Sequence, residues 1–277
     1  MKILENKRKL DELLTKIRTN GTKIGLIPTM GSIHNGHLSL IKNSIKENCY
    51  SITSIFVNPT QFNDLKDFKK YPQNKKQDIE KLNSVKCDAV FFPKIEELYP
   101  QGTKRKKTIL KYRDILCDKF RPGHFDGVTT VVKSLFNIVN PDTVFFGEKD
   151  FQQLKIIREL ITKYNLPIQL RNCPSIRSEN GMSLSSRYNN FNINQKIIFN
   201  QISLKINECV DLLKKKIDIN NLKNLYQYLE KDKKIKVDYL EIREEDELLL
   251  TQKNKNARLF ISFYIEDIRI IDNFKLY

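Results

Sequence analysis

Residues 24–41 read IGLIPTMGSIHNGHLSLI and contain, in order, an apolar run, a polar loop and the start of an amphipathic segment. The apolar run 24–28 predicts a buried strand, and residues 37–48 predict a helix. The loop between them carries His34 and His37, two of the three histidines of the chain. A helix begins with backbone N–H groups that have no partner inside the helix, and its dipole is positive at that end. The segment therefore predicts a site for the phosphates of a nucleoside triphosphate.

The two imidazoles of this loop admit three interpretations. Each can donate a hydrogen bond to phosphate and stabilise charge that develops on a leaving pyrophosphate, and Gly36 lets the backbone approach that group. They could instead be half of a metal site, but zinc would need further ligands, and the third histidine has Arg121 close by in the sequence. They could also belong to a purely structural loop. The predicted helix N-terminus favours phosphate binding.

Composition favours a globular protein of a reducing compartment. The 277 residues are 40% hydrophobic and 30% charged, no apolar run approaches the ~20 residues of a membrane span, and residues 1–20 lack the apolar stretch of a secretory signal. The five cysteines, at positions 49, 87, 117, 173 and 209, form no C-x-x-C pair, which argues against a disulfide framework or a zinc ribbon. We therefore expect a cytoplasmic protein with no membrane partner.

The formal net charge of +16 raises the question of nucleic-acid binding. An excess of lysine from a compositionally biased genome would give the same charge. The basic residues are spread along the chain, and the densest run, residues 104–107, has no interleaved aromatic residues of the kind that stack on single strands. We therefore expect a solvated basic surface and no specific nucleic-acid partner.

Apolar runs and amphipathic segments alternate along the first two thirds of the chain. Strands are predicted at 23–28, 51–57, 89–92, 144–146 and 168–171, and helices at 3–19, 37–48, 74–85, 128–139 and from 147 onward. This alternation predicts an α/β fold with a doubly wound, Rossmann-like parallel sheet, in which ligands bind beyond the carboxyl ends of the strands. After residue 190, helices at 193–216 and 219–230 and strands near 236–243, 257–264 and 267–273 are predicted. We therefore expect a large domain, 1–188, and a small α+β domain, 189–277, that covers the active site.

Polar residues that could contact a ligand follow several of these strands. They are Asn58, Gln61, Arg121, His124, Lys149, Asp150, Gln153, Ser185, Ser186 and Arg187. Neutral amides suit a hydroxyl-bearing, uncharged group, whereas Lys149 and Arg187 suit phosphate. Each also has an ordinary structural alternative, such as an amide that caps a turn or an exposed lysine. The absence of G-x-x-x-x-G-K-[ST] excludes a P-loop ATPase.

Five segments of the chain carry a resemblance to a known family. They are residues 28–41, 54–62, 121–133, 146–153 and 184–187. In this order and spacing they closely resemble the pantoate–β-alanine ligases of the nucleotidylyltransferase superfamily, and the resemblance extends to residues 269–273. The chain departs from that pattern at Ser32, where Ala is common, and at Tyr188, where Asn is usual.

The resemblance implies an ATP-dependent ligase that joins pantoate to β-alanine through pantoyl adenylate, with Mg²⁺ on the phosphates and a homodimeric assembly. It implies catalytic roles for His34, His37, Lys149 and Arg187. The implied ATP-binding residues are Met30, Gly31, Ser32, Ile33, His34, Asn35, Gly36, His37, Gly147, Glu148, Lys149, Asp150, the backbone of Ile176, Leu184, Ser185, Ser186 and Arg187. Pantoate contacts are implied for Gln61, Gln153 and Asn58, a β-alanine contact for Gln61, and active-site positions for Tyr71, Arg121 and His124. No metal ligands are identified.

Two other functions remain open at this point. Another adenylyl- or cytidylyltransferase would use the same phosphate loop on a different acceptor, although a phosphorylated acceptor would require Lys or Arg in place of Gln61 and Gln153. A basic RNA-binding module would bind polynucleotide with steep salt dependence and without turnover.

Overall fold

The computed structural model of the protein describes residues 1–63 and 65–277. Its strands and helices follow in the order β1 (Lys2–Leu4), α1 (Lys7–Thr19), β2 (Ile24–Thr29), α2 (Asn35–Lys46), β3 (Tyr50–Ile55), α3 (Leu65–Lys70), α4 (Lys75–Ser84), β4 (Ala89–Phe91), α5 (Ile95–Leu98), α6 (Leu116–Phe120), α7 (His124–Val139), β5 (Thr143–Gly147), α8 (Phe151–Lys163), β6 (Gln169–Cys173), α9 (Ile193–Lys215), α10 (Ile219–Glu230), β7 (Ile235–Glu244), β8 (Ala257–Ile265) and β9 (Ile268–Lys275). Short 3-10 helices lie at Pro59–Gln61, Glu148–Asp150 and Ser186–Asn190.

Across the described residues, six parallel strands form a sheet in the order β1-β4-β3-β2-β5-β6. From β2 the chain moves outward through β3 to β4, and later returns to the other side of β2 with β5 and β6. The direction in which successive strands are added to the sheet therefore reverses between β2 and β5, where Leu26 pairs with Val144. This arrangement confirms the predicted doubly wound α/β class. The loops after β2 and β5 begin at the crevice where such sheets bind ligands.

Residues 30–37, which follow β2 and which we call the phosphate loop after the ligand that the sequence predicts for them, are anchored in the core of the sheet. Ile33 lies in the middle of that loop and is fully buried, in a cluster with Ile27 of β2, Ile41 of α2 and Phe145 of β5. Burying an aliphatic side chain of this size contributes about 1.5–3 kcal/mol. The loop is therefore held on the sheet by a core residue, and its two histidines follow directly.

The chain divides into two compact units. Unit 1 comprises Met1–Arg113, Arg121–Glu148 and Gln152–Ser175, and unit 2 comprises Asp114–Phe120, Lys149–Phe151 and Ile176–Tyr277. Within the part that the structure describes, unit 2 contains an antiparallel sheet of three strands, β7-β8-β9, together with α9 and α10. This is the smaller α+β part of the predicted fold. The division after residue 188 that the sequence suggests stays a prediction.

The helix predicted from 147 onward begins at Phe151, after a short 3-10 helix at Glu148–Asp150. Two other predicted helices also begin in the wrong place. Residues 3–19 do not form one helix, because Lys2–Leu4 pairs in parallel with β4 and the side chain of Asn6 then caps α1. The helix predicted at 128–139 begins four residues earlier, at His124, directly after Gly123, whose φ of 77° turns the chain. In both cases a backbone interaction outside the periodic segment sets the boundary.

The five cysteines are free and buried. None of the helices in residues 1–63 and 65–277 is long and apolar enough to cross a membrane.

Candidate active site

The two histidines of the phosphate loop cap helix α2. His34 is the N-cap residue, and its Nδ1 accepts a hydrogen bond from the backbone N–H of Gly36 at 3.1 Å. His37, three residues on, accepts from the backbone N–H of His34 at 3.3 Å, also through Nδ1. The two rings lie side by side, with centroids 4.0 Å apart. The pair thus forms a capping box in which both acceptors are imidazole nitrogens.

This capping box determines which nitrogen of each ring carries a proton. A backbone N–H can only donate, so both Nδ1 atoms are unprotonated, and in the neutral rings the proton lies on Nε2. The expectation that the first N–H groups of α2 are unpaired is therefore wrong for His34 and Gly36, because the imidazoles accept from them. In the neutral rings the Nε2–H groups are therefore the donors that the two histidines carry.

Helix α4 holds the loop that precedes the histidines. The buried carboxylate of Asp78 accepts from the N–H groups of Ser32 at 2.9 Å and Ile33 at 2.7 Å, and Lys81 Nζ donates to the carbonyl of Ile33 at 2.7 Å. Gly31 and Ser32 have φ values of 80° and 50°, and a left-handed residue other than glycine costs roughly 1–2 kcal/mol. Burial raises the pKa of Asp78, while the N–H groups of Ile33 and Ser32 oppose that rise. Charge-assisted hydrogen bonds therefore stabilise a strained turn.

The turn after β3 carries Asn58 and Gln61. Asn58 is 1% exposed, and its Oδ1 accepts from the N–H and hydroxyl of Thr60 and from the Tyr99 hydroxyl at 2.6 Å. Its Nδ2 donates to Gln61 Oε1 at 3.1 Å and to the carbonyl of Gly127 at 3.2 Å. These contacts support the structural alternative for Asn58, which orients the side chain of Gln61.

The structure brings Gln61 to the phosphate loop and to the third histidine. Gln61 Nε2 donates to the sulfur of Met30 at 2.7 Å. His124 Nδ1 lies 2.7 Å from the main-chain carbonyl of Gln61, and its Nε2 lies 3.0 Å from Arg121 Nη1. Because a guanidinium only donates, Nε2 accepts and Nδ1–H donates to Gln61. Arg121 and His124 therefore hold the main chain of Gln61.

Helix α7 approaches this turn most closely at Gly127. A Cβ atom there would lie 2.7 Å from the backbone nitrogen of Gln61 and closer still to the carbonyl of Thr60. We expect Gly127→Ala to lower the free energy of unfolding by about 1–3 kcal/mol, because backbone must move to make room. Thermal unfolding measures this, with Ser134→Ala on the same helix as the control that keeps the wild-type Tm. An unchanged Tm in Gly127→Ala would contradict the close approach.

In unit 2 the structure brings Lys149 near Arg187. Burial lowers the pKa of the Lys149 ammonium, the carboxylates of Asp150 and Asp272 oppose this, and the positive charge of Arg187 lowers it further. The main-chain carbonyl of Lys149 accepts from Asn273 Nδ2 at 2.8 Å. Two cations held near one another, one of them desolvated, favour the binding of an anion.

Residues 176–184 form a small antiparallel turn that leads to the serine segment. Arg177 and Ser183 are bridge partners, and the N–H of Leu184 donates to the carbonyl of Ile176 at 3.0 Å. The backbone of Ile176, a predicted ATP contact, is thus paired with the residue next to the serines.

The serine segment itself is held by a cap and by a tyrosine. Ser185 accepts from the N–H of Arg187 at 3.3 Å and caps the 3-10 helix. Tyr188 donates from its hydroxyl to the carbonyl of Ser183 at 2.9 Å, and its ring packs on Phe199 with centroids 4.7 Å apart. Tyr188, at which the chain departs from the family pattern, therefore attaches this segment to the core of unit 2.

The predicted site residues fall into two sets, one in each unit. Unit 1 contains Met30, Gly31, Ser32, Ile33, His34, Asn35, Gly36, His37, Asn58, Gln61, Tyr71, Arg121, His124, Gly147, Glu148 and Gln153. Unit 2 contains Lys149, Asp150, Ile176, Leu184, Ser185, Ser186 and Arg187. Tyr71 packs edge-on against Phe62, with ring centroids 5.8 Å apart, and Gln153 is half-buried on α8.

The sequence did not identify several residues whose hydrogen bonds hold the candidate site residues or their neighbours in place. They include Asp78, Tyr99, Asp272 and Asn273. Asp78 and Lys81 share one face of a predicted helix, and Asp272 and Asn273 lie in the last segment of the family resemblance, but neither signal gave these side chains a role. The other contacts join residues distant in the chain, and no periodicity marks them.

No group of three or more His, Cys, Asp or Glu side chains among residues 1–63 and 65–277 could hold a metal ion. Both Nδ1 atoms of the histidine pair accept from backbone, and the third histidine faces a guanidinium. Within the described ranges, these residues do not form a metal centre made of protein ligands alone.

A doubly wound parallel sheet with a strand–loop–helix segment at its switch point is the arrangement of nucleotide-binding α/β proteins. Comparison with known proteins gives the family. A family model for pantoate–β-alanine ligase matches residues 2–275. The pantothenate synthetase of Sulfurihydrogenibium sp. is 38% identical over 277 residues, 99% of both chains, and that of Caldicellulosiruptor bescii is 35% identical over 276 residues, 99% of this chain and 98% of its own.

Solved structures agree with the sequence comparison. Pantothenate synthetase from Thermus thermophilus superposes with a TM-score of 0.91 at 30% identity and covers both chains fully. Pantoate–β-alanine ligase from Francisella tularensis, complexed with β-γ ATP and β-alanine, gives a TM-score of 0.85 at 36% identity over 100% of this chain and 98% of its own. The protein belongs to the pantoate–β-alanine ligase family, which confirms the resemblance seen in the sequence.

Proposed function

We propose that this protein condenses pantoate with β-alanine at the expense of ATP. In the first step a carboxylate oxygen of pantoate bonds to the α-phosphorus of ATP, and the bond from that phosphorus to pyrophosphate breaks. In the second step the amine of β-alanine attacks the acyl carbon, AMP leaves, and pantothenate forms. Full-length family membership supports the reaction, as does the relative from Francisella tularensis, which was complexed with β-γ ATP and β-alanine. The structural observation that carries it is the histidine capping box at the switch point of the sheet.

For ATP we propose two sets of residues. The first is the loop from Met30 to His37, with Gly147 and Glu148 after β5. The second is Lys149 and Asp150, the backbone of Ile176, and the segment 184–187. Supporting the first set are the tautomers of His34 and His37, which place donors on Nε2. Supporting the second is the cationic environment of Lys149 and Arg187.

The proposed reaction chiefly requires that the two reactants be positioned and that negative charge on the leaving pyrophosphate be stabilised. Charge accumulates on pyrophosphate as it leaves, and donors or cations that are already oriented stabilise it without reorganising. We assign this role to the Nε2–H groups of His34 and His37, to the Lys149 ammonium and to the Arg187 guanidinium. Holding two reactants in place supplies much of the remaining barrier reduction.

For pantoate we propose Gln61 and Gln153, and for β-alanine Gln61 as well. Neutral amides both donate and accept, as hydroxyl groups require. Asn58 was also predicted as a pantoate contact. Its five hydrogen bonds within the protein support an indirect role, in which Asn58 orients the side chain of Gln61. Arg121 and His124 hold the carbonyl of Gln61.

Mg²⁺ is proposed as a companion of ATP, because this ion is commonly held by substrate phosphates with few protein ligands. A homodimer is proposed from the family, and a cytoplasmic location from the five free, scattered cysteines.

The proposed reaction is tested by measuring AMP formation from ATP with Mg²⁺, with and without each co-substrate. We expect AMP only when pantoate and β-alanine are both supplied. No AMP with both present, or equal AMP without pantoate, would overturn the proposal. AMP formation with another acceptor in place of pantoate would point instead to a different transferase.

Gln61→Ala is expected to raise the KM for pantoate about tenfold or more and to leave the KM for ATP near that of the wild type. The physical reason is the loss of a hydrogen bond to a substrate hydroxyl, for which tenfold corresponds to about 1.4 kcal/mol. Steady-state rates with each substrate varied in turn measure this. Gln101→Ala, an exposed glutamine, is the matched control. An unchanged KM for pantoate in Gln61→Ala would remove its assigned role.

A further inference from the structure

Two adjacent residues of β9, Asp272 and Asn273, are buried and polar, and the proposed function gives them no part. They are 3% and 2% exposed. The carboxylate of Asp272 accepts from the N–H of Ser183 at 2.7 Å and from Arg177 Nη1 at 3.0 Å through Oδ2, and from the N–H of Asn273 at 2.8 Å through Oδ1. Burying a carboxylate costs free energy unless donors surround it. Three donors therefore meet at this one carboxylate.

Asn273 makes the complementary contact on the other side. Its Nδ2 donates to the main-chain carbonyl of Lys149 at 2.8 Å, and its Oδ1 accepts from Arg258. The guanidinium of Arg258 in turn lies over the ring of Phe151, 4.2 Å from its centroid. The backbone of Lys149 and the side chain two residues later are thus both fixed by β9 and β8.

These contacts join two segments that are more than thirty residues apart in the chain. One contains Lys149 and the other leads from Ser183 to Arg187, and both are proposed ATP-binding segments. We infer that Asp272 and Asn273 are positioning residues for ATP binding, which hold the main chain of Lys149 and of the serine segment in one arrangement. The inference rests on the proposed function and extends it to residues that do not touch the nucleotide.

The charge of Asp272 allows positioning of Lys149 to be distinguished from a purely structural role. Only the former changes the pH at which Lys149 loses its proton. The charged groups that act on the Lys149 ammonium are Asp150, Asp272 and Arg187. Both carboxylates raise the pKa of Lys149, whereas burial and Arg187 lower it below the ordinary 10.5. Removing the charge of Asp272 therefore lowers that pKa further, and Lys149 loses its proton at a lower pH.

Pantoate-dependent exchange of labelled pyrophosphate into ATP follows the first step alone and requires no β-alanine. We expect Asp272→Asn to move the alkaline limb of kcat/KM for ATP to lower pH. Asn273→Asp replaces the donor to Lys149 by an acceptor and is expected to raise the KM for ATP about tenfold or more while the KM for pantoate stays unchanged. Because Arg258 lies beside residue 273, a carboxylate there gains an ion pair and the variant is expected to fold.

Asp238→Asn is the matched control. Asp238 is a buried carboxylate of the same antiparallel sheet and pairs with Arg269 at 2.7 Å. This variant is expected to lower the Tm but to keep the wild-type KM for ATP and the wild-type alkaline limb. Wild-type values of both in Asp272→Asn and Asn273→Asp would overturn the inference, as would the same change in Asp238→Asn. A wild-type protein without pantoate-dependent exchange would instead overturn the proposed function itself.

Discussion

His37→Ala is expected to lower the rate of AMP formation, with pantoate and β-alanine both present, at least about 100-fold, the scale for losing one donor to charge that develops in the transition state. His37 Nδ1 is occupied by the N–H of His34, so the donor in question is the Nε2–H. The loss is expected in kcat as well as in kcat/KM, because the hydrogen bond strengthens as pyrophosphate leaves. Steady-state assay of AMP with ATP varied measures both.

Two further substitutions separate donation to phosphate from capping of α2. Asn at position 37 offers an oxygen where Nδ1 stood, so His37→Asn keeps the acceptor for the N–H of His34 and loses the donor. His37→Gln places an amide near the position of Nε2 and can restore part of the rate. We expect the rates to rank wild type, Gln, then Asn and Ala, with little change in Tm for His37→Asn. A His37→Asn variant with near wild-type activity would refute the role of Nε2.

Lys149→Ala is expected to lower the rate of pyrophosphate exchange by a similar factor, at least about 100-fold. The Lys149 side chain is half-buried and lies near a second cation, so water screens its attraction for a phosphate less than it screens that of a fully exposed lysine. Lys149→Arg keeps the charge and is expected to retain more activity than Lys149→Ala. Lys163→Ala is the control, because Lys163 lies at the other end of α8, about 18 Å along the helix from its first residue.

The pH dependence of kcat/KM for ATP tests whether the charged form of Lys149 is the active one. Burial lowers the pKa of Lys149 below 10.5, so the charged form is lost as the pH rises through a value lower than that of an ordinary lysine. The alkaline limb of kcat/KM for ATP, measured by exchange, is therefore expected below pH 10.5 in the wild type. In Lys149→Arg this limb should disappear, because a guanidinium stays protonated. A limb that is unchanged in Lys149→Arg would assign it to another group.

Much of the sheet could be predicted because β2 and β5 are largely apolar runs, and β3 alternates apolar residues with small polar ones, between periodic helices. β2, β3 and β5 are buried on both faces, and local sequence alone indicates them. Lys2–Leu4 could not be predicted in the same way. Its strand conformation depends on pairing with Ala89–Phe91, some 85 residues later, and its apolar residues also fit the helical pattern of the segment that follows.

The sequence indicated the segments that form the candidate site, but it did not indicate the residues that hold those segments in place. His34 and His37 were visible because strand, loop and helix are contiguous in the sequence. Their exchange of hydrogen bonds with the backbone was not, since Ser, Thr, Asp and Asn are the usual caps and an imidazole is rare in that position. Asp78 and Asn273 act across long separations in the chain, where a single sequence carries no pairing information.

The contact between Asn273 and Lys149 has a consequence for the order in which the protein matures. Synthesis proceeds from the amino end, and folding can begin before the chain is finished. The parallel sheet and its phosphate loop are encoded before residue 174, but the strand that holds the carbonyl of Lys149 spans Ile268–Lys275. A ribosome-bound chain can therefore complete the parallel sheet with its histidine loop and still lack the anchor of Lys149 until residues 268–275 have emerged.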